Sequence, residues 1–342
     1  MWASIGKRLW VPAVLAALVV AAPSGPTSAQ DLQSVVERLT HAQFSLSYHG
    51  QRHVYNFHPS TPQIITFHVV HTPQGERREY ISKRPPMIFI DDGRHQWMYR
   101  PHLHLLVRRP SPSMERRLQL AEQNAALLNK NYRMEVVQRE EMMGERLCMV
   151  AKFTSRFGVG RPVRTLWIDR EKGLPLRTEV YDARGLRVMT FFSSITFSPS
   201  PSPDALALKV PPTTRLEAES EEVMLSPPSL AAAVDFPVLE PSRLPAGFAL
   251  VDARLKGLGP DAELRLLYSD GLSALTLFER RLSQARPSGG PEATPVALGE
   301  AEGRLYRHGL VLMVEWTRPP VALALVGEVD ERELLETARS IP

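Results

Sequence analysis

Histidine is the residue whose distribution most invites a chemical reading: nine of the ten lie between His41 and His104. On an extended strand His102 and His104 share a face, as do His49 and His53. A zinc or copper site needs three or four converging ligands, yet no HExxH helix and no cysteine partner accompanies them. Three readings stay open for residues 41–104: polar-face strand residues, a metal site, or a cluster that charges as pH falls. The first is the simplest, because the sequence fixes no register that would bring separate strands together. No metal is therefore expected.

Covalent chemistry finds no better footing. A G-x-S-x-G elbow is absent. Cys148 is the single cysteine, so no internal disulfide can form, and within Leu147-Cys148-Met149-Val150 it reads as a small buried hydrophobe. Gly158-Val159-Gly160 lacks the glycine and lysine that complete a phosphate loop, and it sits where a hairpin is expected. The carboxylate pairs Asp91-Asp92 and Glu140-Glu141 fall at turns with nothing to bring them together. No catalytic residue and no cofactor is assigned. The chain reads as a binding protein and not an enzyme.

The N-terminus bears on where such binding would occur. Lys7 and Arg8 precede an uncharged apolar run of about fourteen residues, Leu9 to Ala22, shorter than the roughly 20 that span a bilayer. Thr27-Ser28-Ala29 before Gln30 makes a small-x-small cleavage site. Residues 1–29 are thus expected to be a signal peptide, leaving a soluble chain in the periplasm or extracytoplasmic space. No cysteine follows the cut, so lipid attachment there is not expected.

Length and charge then divide the remainder. More than 300 residues exceed what one core serves. Residues 30–204 carry 25 Lys and Arg against 17 Asp and Glu, a net of +8, whereas 205–342 carry 14 against 20, a net of −6. No basic helix or aromatic-interleaved patch is present, which argues against nucleic acid. Ser198 to Pro203 alternates Ser and Pro and cannot hold a ladder. Ala205 to Val210 reads as one last strand. The spacing predicts a first domain over 30–215, a Pro-rich linker over 216–241 and a second domain over 242–342.

The first domain reads as strands. Alternation marks Phe44 to Tyr48 and Val54 to Phe57, and β-branched or aromatic runs mark Ile64 to Val70, Met87 to Ile90 and Trp97 to Tyr99. Further strands are expected at Met134 to Val137, Leu147 to Phe153, Val163 to Ile168, Leu176 to Tyr181 and Leu186 to Phe197. Two amphipathic helices can cover one face: Asp31 to Gln43, and a longer one capped by Ser111 with Pro112 at its first position. The expected class is α+β, an antiparallel half-barrel curved around helices with an apolar concavity. Phe67, Phe89, Trp97 and Trp167 are candidate cavity residues for a lipid chain.

In the second domain six strands are expected between Phe248 and Val326, followed by a helix from Glu331 to Ser340 capped by Asp330 with Glu333. Tyr268, Asp270 and Leu272, around the turn Ser269-Asp270-Gly271, are candidate contacts for a partner. The simpler alternative is a tight turn whose neighbours face the core.

Several segments together resemble the RseB/MucB family of periplasmic sigma-factor regulators. They are Arg146 to Val150, Leu166 to Asp169, Gly173 to Arg177, Leu244 to Phe248, Leu267 to Leu272 and Leu325 to Glu328. The resemblance covers residue 130 to the end, and residues 44–110 match loosely. It implies a first domain similar to the lipoprotein carriers LolA and LolB, and a smaller regulatory domain behind it. It also implies binding to the periplasmic segment of a membrane anti-sigma factor, which such proteins shield from a protease. Lipid or lipopolysaccharide fragments would release that shield. The rival reading is a periplasmic lipid or lipoprotein carrier, which uses the first domain but has no use for the second.

Overall fold

The computed structural model describes residues 29–57, 62–82, 85–158, 160–198, 204–218, 222–257, 259, 262–282, 293–308 and 310–342. The expected signal peptide, apart from Ala29, lies outside them. No described helix is long and apolar enough to cross a membrane.

The first half is one twelve-stranded sheet. Its strands are β1 (Tyr48–Asn56), β2 (Gln63–Thr72), β3 (Gly75–Tyr80), β4 (Met87–Asp91), β5 (His95–Arg100), β6 (Leu105–Pro110), β7 (Tyr132–Met143), β8 (Arg146–Ser155), β9 (Val163–Asp169), β10 (Pro175–Asp182), β11 (Gly185–Phe197) and β12 (Arg215–Ala218). They lie in the order β12-β6-β5-β4-β3-β2-β1-β11-β10-β9-β8-β7, so the ends do not meet and the barrel stays open. All pairings are antiparallel except β12 against β6. Between the two strand runs the chain supplies its long helix α2 (Met114–Asn131), which packs against α1 (Ala29–Ser45). Leu32, Val35 and Val36 of α1 and Leu128 of α2 bury themselves on Met134, Phe153, Leu166 and Ile168 of the sheet.

Local chemistry explains the helix ends. Ser113 caps α2, its hydroxyl accepting from the Arg116 amide at 3.2 Å, with Glu115 in the first turn and Lys130 in the last. The cap therefore falls two residues after the expected Ser111. The strand expected at Phe44 to Tyr48 is also corrected: α1 continues to Ser45, and extended backbone starts only at Tyr48. Ala205 to Val210 is a turn followed by irregular backbone and not a strand. The Ala207 carbonyl accepts from Arg77 of β3 at 2.5 Å.

The second sheet has eight strands: β13 (Glu222–Met224), β14 (Ala249–Lys256), β15 (Glu263–Ser269), β16 (Ala274–Arg281), β17 (Thr294–Leu298), β18 (Ala301–His308), β19 (Val311–Arg318) and β20 (Val321–Gly327). Their order is β13-β14-β15-β16-β20-β19-β18-β17. A short helix α3 (Leu230–Ala233) and the C-terminal helix α4 (Glu331–Arg339) cover its inner face with Leu230, Phe236, Leu334, Ala338 and Ile341. Asp330 caps α4 as expected, its carboxylate accepting from the Glu333 amide at 2.7 Å. Leu264, Leu266, Leu275, Leu277 and Leu325 are all 0% exposed, and truncating any one to Ala costs about 2–5 kcal/mol.

The architecture is α+β, an open antiparallel half-barrel around helices followed by a smaller α+β unit. Within the stretch 216–241, β12 reaches in from the first sheet, while β13, α3 and Phe236 belong to the second.

Candidate functional site

Helices α1 and α2 do not fill the first sheet's concave face. They leave a cavity of about 650 Å3 walled by Val36, Leu39, Ala121, Ala125, Leu166 and Phe192, a size suited to a small ligand. Charged and polar side chains also reach it: Arg52 of β1, His71 of β2, Glu76 and Arg78 of β3, and Arg117 of α2. Burial alone would raise the Glu76 carboxyl, but the hydrogen bond to His71 and the Arg78 charge hold it below the usual range. Burial pushes the Tyr48 phenol up to about 12, so it stays neutral.

One wall comes from the other half of the molecule. Gly271 and Leu272, in the turn between β15 and β16, border the cavity. Gly271 has φ +105, and a Cβ there would stand 2.3 Å from the Leu128 amide nitrogen, so only glycine lets the turn approach α2 this closely.

Asp270 locks that turn. Its Oδ1 accepts from the Leu272 and Ser273 amides at 3.0 and 2.8 Å. Its Oδ2 accepts from the Tyr132 hydroxyl at 2.9 Å and from Arg161 at 2.8 Å. Arg161 also donates to the Ala246 carbonyl at 3.0 Å, pairs with Glu333, and lies over the Phe248 ring at 4.7 Å. Asn131 donates to the Gly247 and Asp270 carbonyls at 2.8 and 2.9 Å. Arg116 with Asp252, Arg164 with Glu328, and Ser269 with Asn124 complete the seam. Burial drives the Tyr132 phenol and the Glu333 carboxyl upward in pKa. A seam of buried, hydrogen-bonded charges is costly to break at any one member.

The candidate residues read from the sequence fall elsewhere than expected. None of Phe67, Phe89, Trp97 and Trp167 lines the cavity. Phe67 pairs with Arg52 and Phe89 with Arg78 across their strands, so both share the cavity's face and flank Arg78, whose guanidinium lies 5.8 and 5.7 Å from their rings. Trp167 follows Leu166 in β9 and so points to the opposite face, where Arg177 covers it at 4.5 Å. Trp97 donates its indole N–H to Asp92 at 2.8 Å. Tyr268 is 2% exposed within the second core and cannot present itself to a partner here. Asp270 is 1% exposed and serves the seam, and half-buried Leu272 packs on the first core. The histidines do not converge: among the described residues no three His, Cys, Asp or Glu side chains gather as metal ligands. His53 bridges Thr66 and Ser193, and His71 bridges Glu76 and the Gln43 carbonyl.

Sequence reasoning missed Arg52, Arg116, Arg161 and Arg164. The only signal for Arg161 is an arginine within a glycine-containing hairpin between two strong strands, a place where surface charge is ordinary.

The second sheet offers a further concavity of about 550 Å3 on its outer face. Strand β20 is apolar on both sides: Val321, Leu323 and Leu325 enter the core, while Ala322, Ala324 and Val326 face outward beside Phe278 and Met313. A strand apolar on both faces is the pattern of one covered on both. Glu263, Arg280, Glu302, Arg304 and Glu315 also line this depression.

Comparison with solved structures finds the Pseudomonas aeruginosa MucA/MucB complex at 20% identity and TM-score 0.62, covering 91% of this chain and 98% of that one. A second structure of MucB with MucA(peri) aligns at 20% identity and TM-score 0.61, with 91% and 98% covered. MucB alone aligns at 20% and 0.57, with 93% and 99% covered. At this identity the likeness speaks for the fold across both sheets. Curated protein sequences give no match. The model of the MucB/RseB N-terminal domain matches residues 31–211, more than half of the 342 residues, and includes both helices and nearly all of the first sheet. The chain belongs to the MucB/RseB family.

Proposed function

We propose that this protein is an exported regulator of envelope stress that binds the extracytoplasmic part of a membrane anti-sigma factor and senses lipid or lipopolysaccharide-like ligands. Family membership supports the regulatory class, and two of the similar structures are MucB bound to MucA or its MucA(peri) part. The observation that favours a regulator over a lipid carrier is the position of Gly271 and Leu272. A carrier needs only the half-barrel, but here the second unit forms part of the cavity wall and is fastened by Asp270 and Arg161. A ligand that fits one arrangement of that wall better than another shifts the balance between arrangements, and no more than that is needed for sensing.

The partner's segment is assigned to the outer face of the second sheet, where Ala322, Ala324, Val326, Phe278 and Met313 supply apolar contact inside charged surroundings. The test is a calorimetric titration of the extracytoplasmic segment of a single-pass anti-sigma factor encoded nearby. The wild type is expected to bind, and Ala324→Arg to bind at least about tenfold more weakly while its melting temperature is unchanged. No binding by the wild type, with tight binding of an acylated peptide, would favour the carrier.

A further inference from the structure

The cavity under α1 and α2 carries an imbalance of charge. Three guanidinium groups reach it, from Arg52, Arg78 and Arg117, against the single carboxylate of Glu76. That carboxylate is already engaged, by Arg78 on one oxygen and His71 on the other. Arg78 is thereby compensated.

Arg52 is not. Its Nε is buried without a partner, and the Glu76 charge that acts on it is already taken up by Arg78 and His71. The group lies over the Phe192 ring at 5.3 Å, inside the apolar wall. The neighbouring Tyr48 phenol is held neutral and supplies no counter-charge. Arg117 repeats the pattern from the helix side: its Nε is likewise buried and unsatisfied. A guanidinium nitrogen removed from water is normally paired, because a donor left without its hydrogen bond is costly. A carboxylate or phosphate is the group whose geometry matches that fork.

We infer that the cavity binds an amphiphile with an anionic head, carboxylate or phosphate, held by Arg52, with its hydrocarbon chain lying between α1, α2 and the sheet. This rests on the reading of the cavity as a ligand site and adds the head chemistry and the residue that reads it. Arg117 supplies a second positive charge to the same space. The chain's apolar surroundings include Leu272 of the second unit, so an occupant touches both halves of the molecule.

The experiment is equilibrium dialysis of the whole protein at neutral pH with dodecyl phosphate, dodecanoate and dodecanol, each below its aggregation threshold. The wild type is expected to bind at least one of the two anions about tenfold more tightly than the alcohol of equal chain length, the difference a charge-assisted bidentate contact provides. Arg52→Leu should erase that preference while keeping the alcohol's affinity, and Arg52→Lys should restore part of it. Tighter binding of the phosphate would point to a lipid phosphate as the natural head, and tighter binding of the carboxylate to a free fatty acid. Equal affinity of the wild type for all three would overturn the anionic-head assignment and leave the cavity as an apolar ligand site. An anion preference that survives in folded Arg52→Leu would overturn the role of Arg52. Binding of none of the three would remove the ligand-sensing reading itself.

Discussion

Asp270→Asn changes one oxygen into a nitrogen at the point where the two halves meet. The Asn carbonyl can still accept from the Leu272 and Ser273 amides, so the turn keeps both of its hydrogen bonds. What changes is the other atom, which now accepts from the Tyr132 hydroxyl and the Arg161 guanidinium. An amide nitrogen there would point a donor at two donors. Removing one partner of a buried ion pair costs about 3–5 kcal/mol. Arg161 retains Glu333, whose carboxylate lies 3.0 Å from its Nε, so a loss of about 2–4 kcal/mol is expected. Urea unfolding followed by circular dichroism should report that loss, and the melting temperature should fall by roughly 5–10 °C. A double-variant cycle with Arg161→Met separates pairing from general damage. Residues sharing a buried network couple by about 1–3 kcal/mol, whereas independent sites add within about 0.5 kcal/mol. Additive losses would refute the seam as a unit.

Three further outcomes follow from particular groups. Burial raises the Glu279 carboxyl to about 8, against a single hydrogen bond from the Leu239 amide. Its neutral form is favoured in the fold, so its contribution to stability is complete below about 4.5 and lost as pH rises through about 8. Glu279→Gln should therefore match the wild type in unfolding free energy at pH 5 and exceed it at pH 9; equal pH slopes would refute the burial argument. Gly271→Ala should cost more than about 2 kcal/mol, since both the φ of +105 and the 2.3 Å approach to Leu128 oppose a Cβ. Alanine tolerated there would mean the turn does not press on α2. A protease site inserted between Ala218 and Glu222 should yield two folded fragments that still co-elute on gel filtration, held by the seam. Fragments that separate at once would show the contact to be weak.

The sequence carried the strands that alternate or are rich in β-branched and aromatic residues, and nearly all of those expected are present. It hid β3, whose residues GERREY are polar on both faces because Glu76 and Arg78 line a cavity. It misjudged Phe44 to Tyr48 because helix and strand periods cannot be told apart over so few residues. The cavity itself was foreseen as a concavity, but its lining was not. Phe67 and Phe89 share the concave face with Arg52 and Arg78 but stand beside the cavity, whereas Trp97 and Trp167 take the opposite face; aromatic bulk does not say which side of a strand a residue occupies. Tyr268 beside a turn suggests an exposed anchor, yet it pairs with Leu250 and Leu275 in the middle of the second sheet and is buried among its core leucines. Asp270 is legible in the sequence only as a turn residue and candidate contact, because Tyr132 and Arg161, which it holds, lie 138 and 109 residues away.

A sensor of this kind needs its cavity and its partner surface to speak to each other through the seam. Reciprocal linkage makes this measurable in one titration: whatever a cavity ligand does to partner affinity, the partner must do to ligand affinity. The purified protein is titrated with the extracytoplasmic segment of an anti-sigma factor encoded nearby, alone and with a saturating amphiphile, dodecyl phosphate or dodecanoate. The expected result is a loss of about tenfold or more in affinity for the segment, corresponding to about 1.4 kcal/mol of coupling. Identical affinity with and without the amphiphile would contradict a sensor in which the second unit's turn reads the cavity.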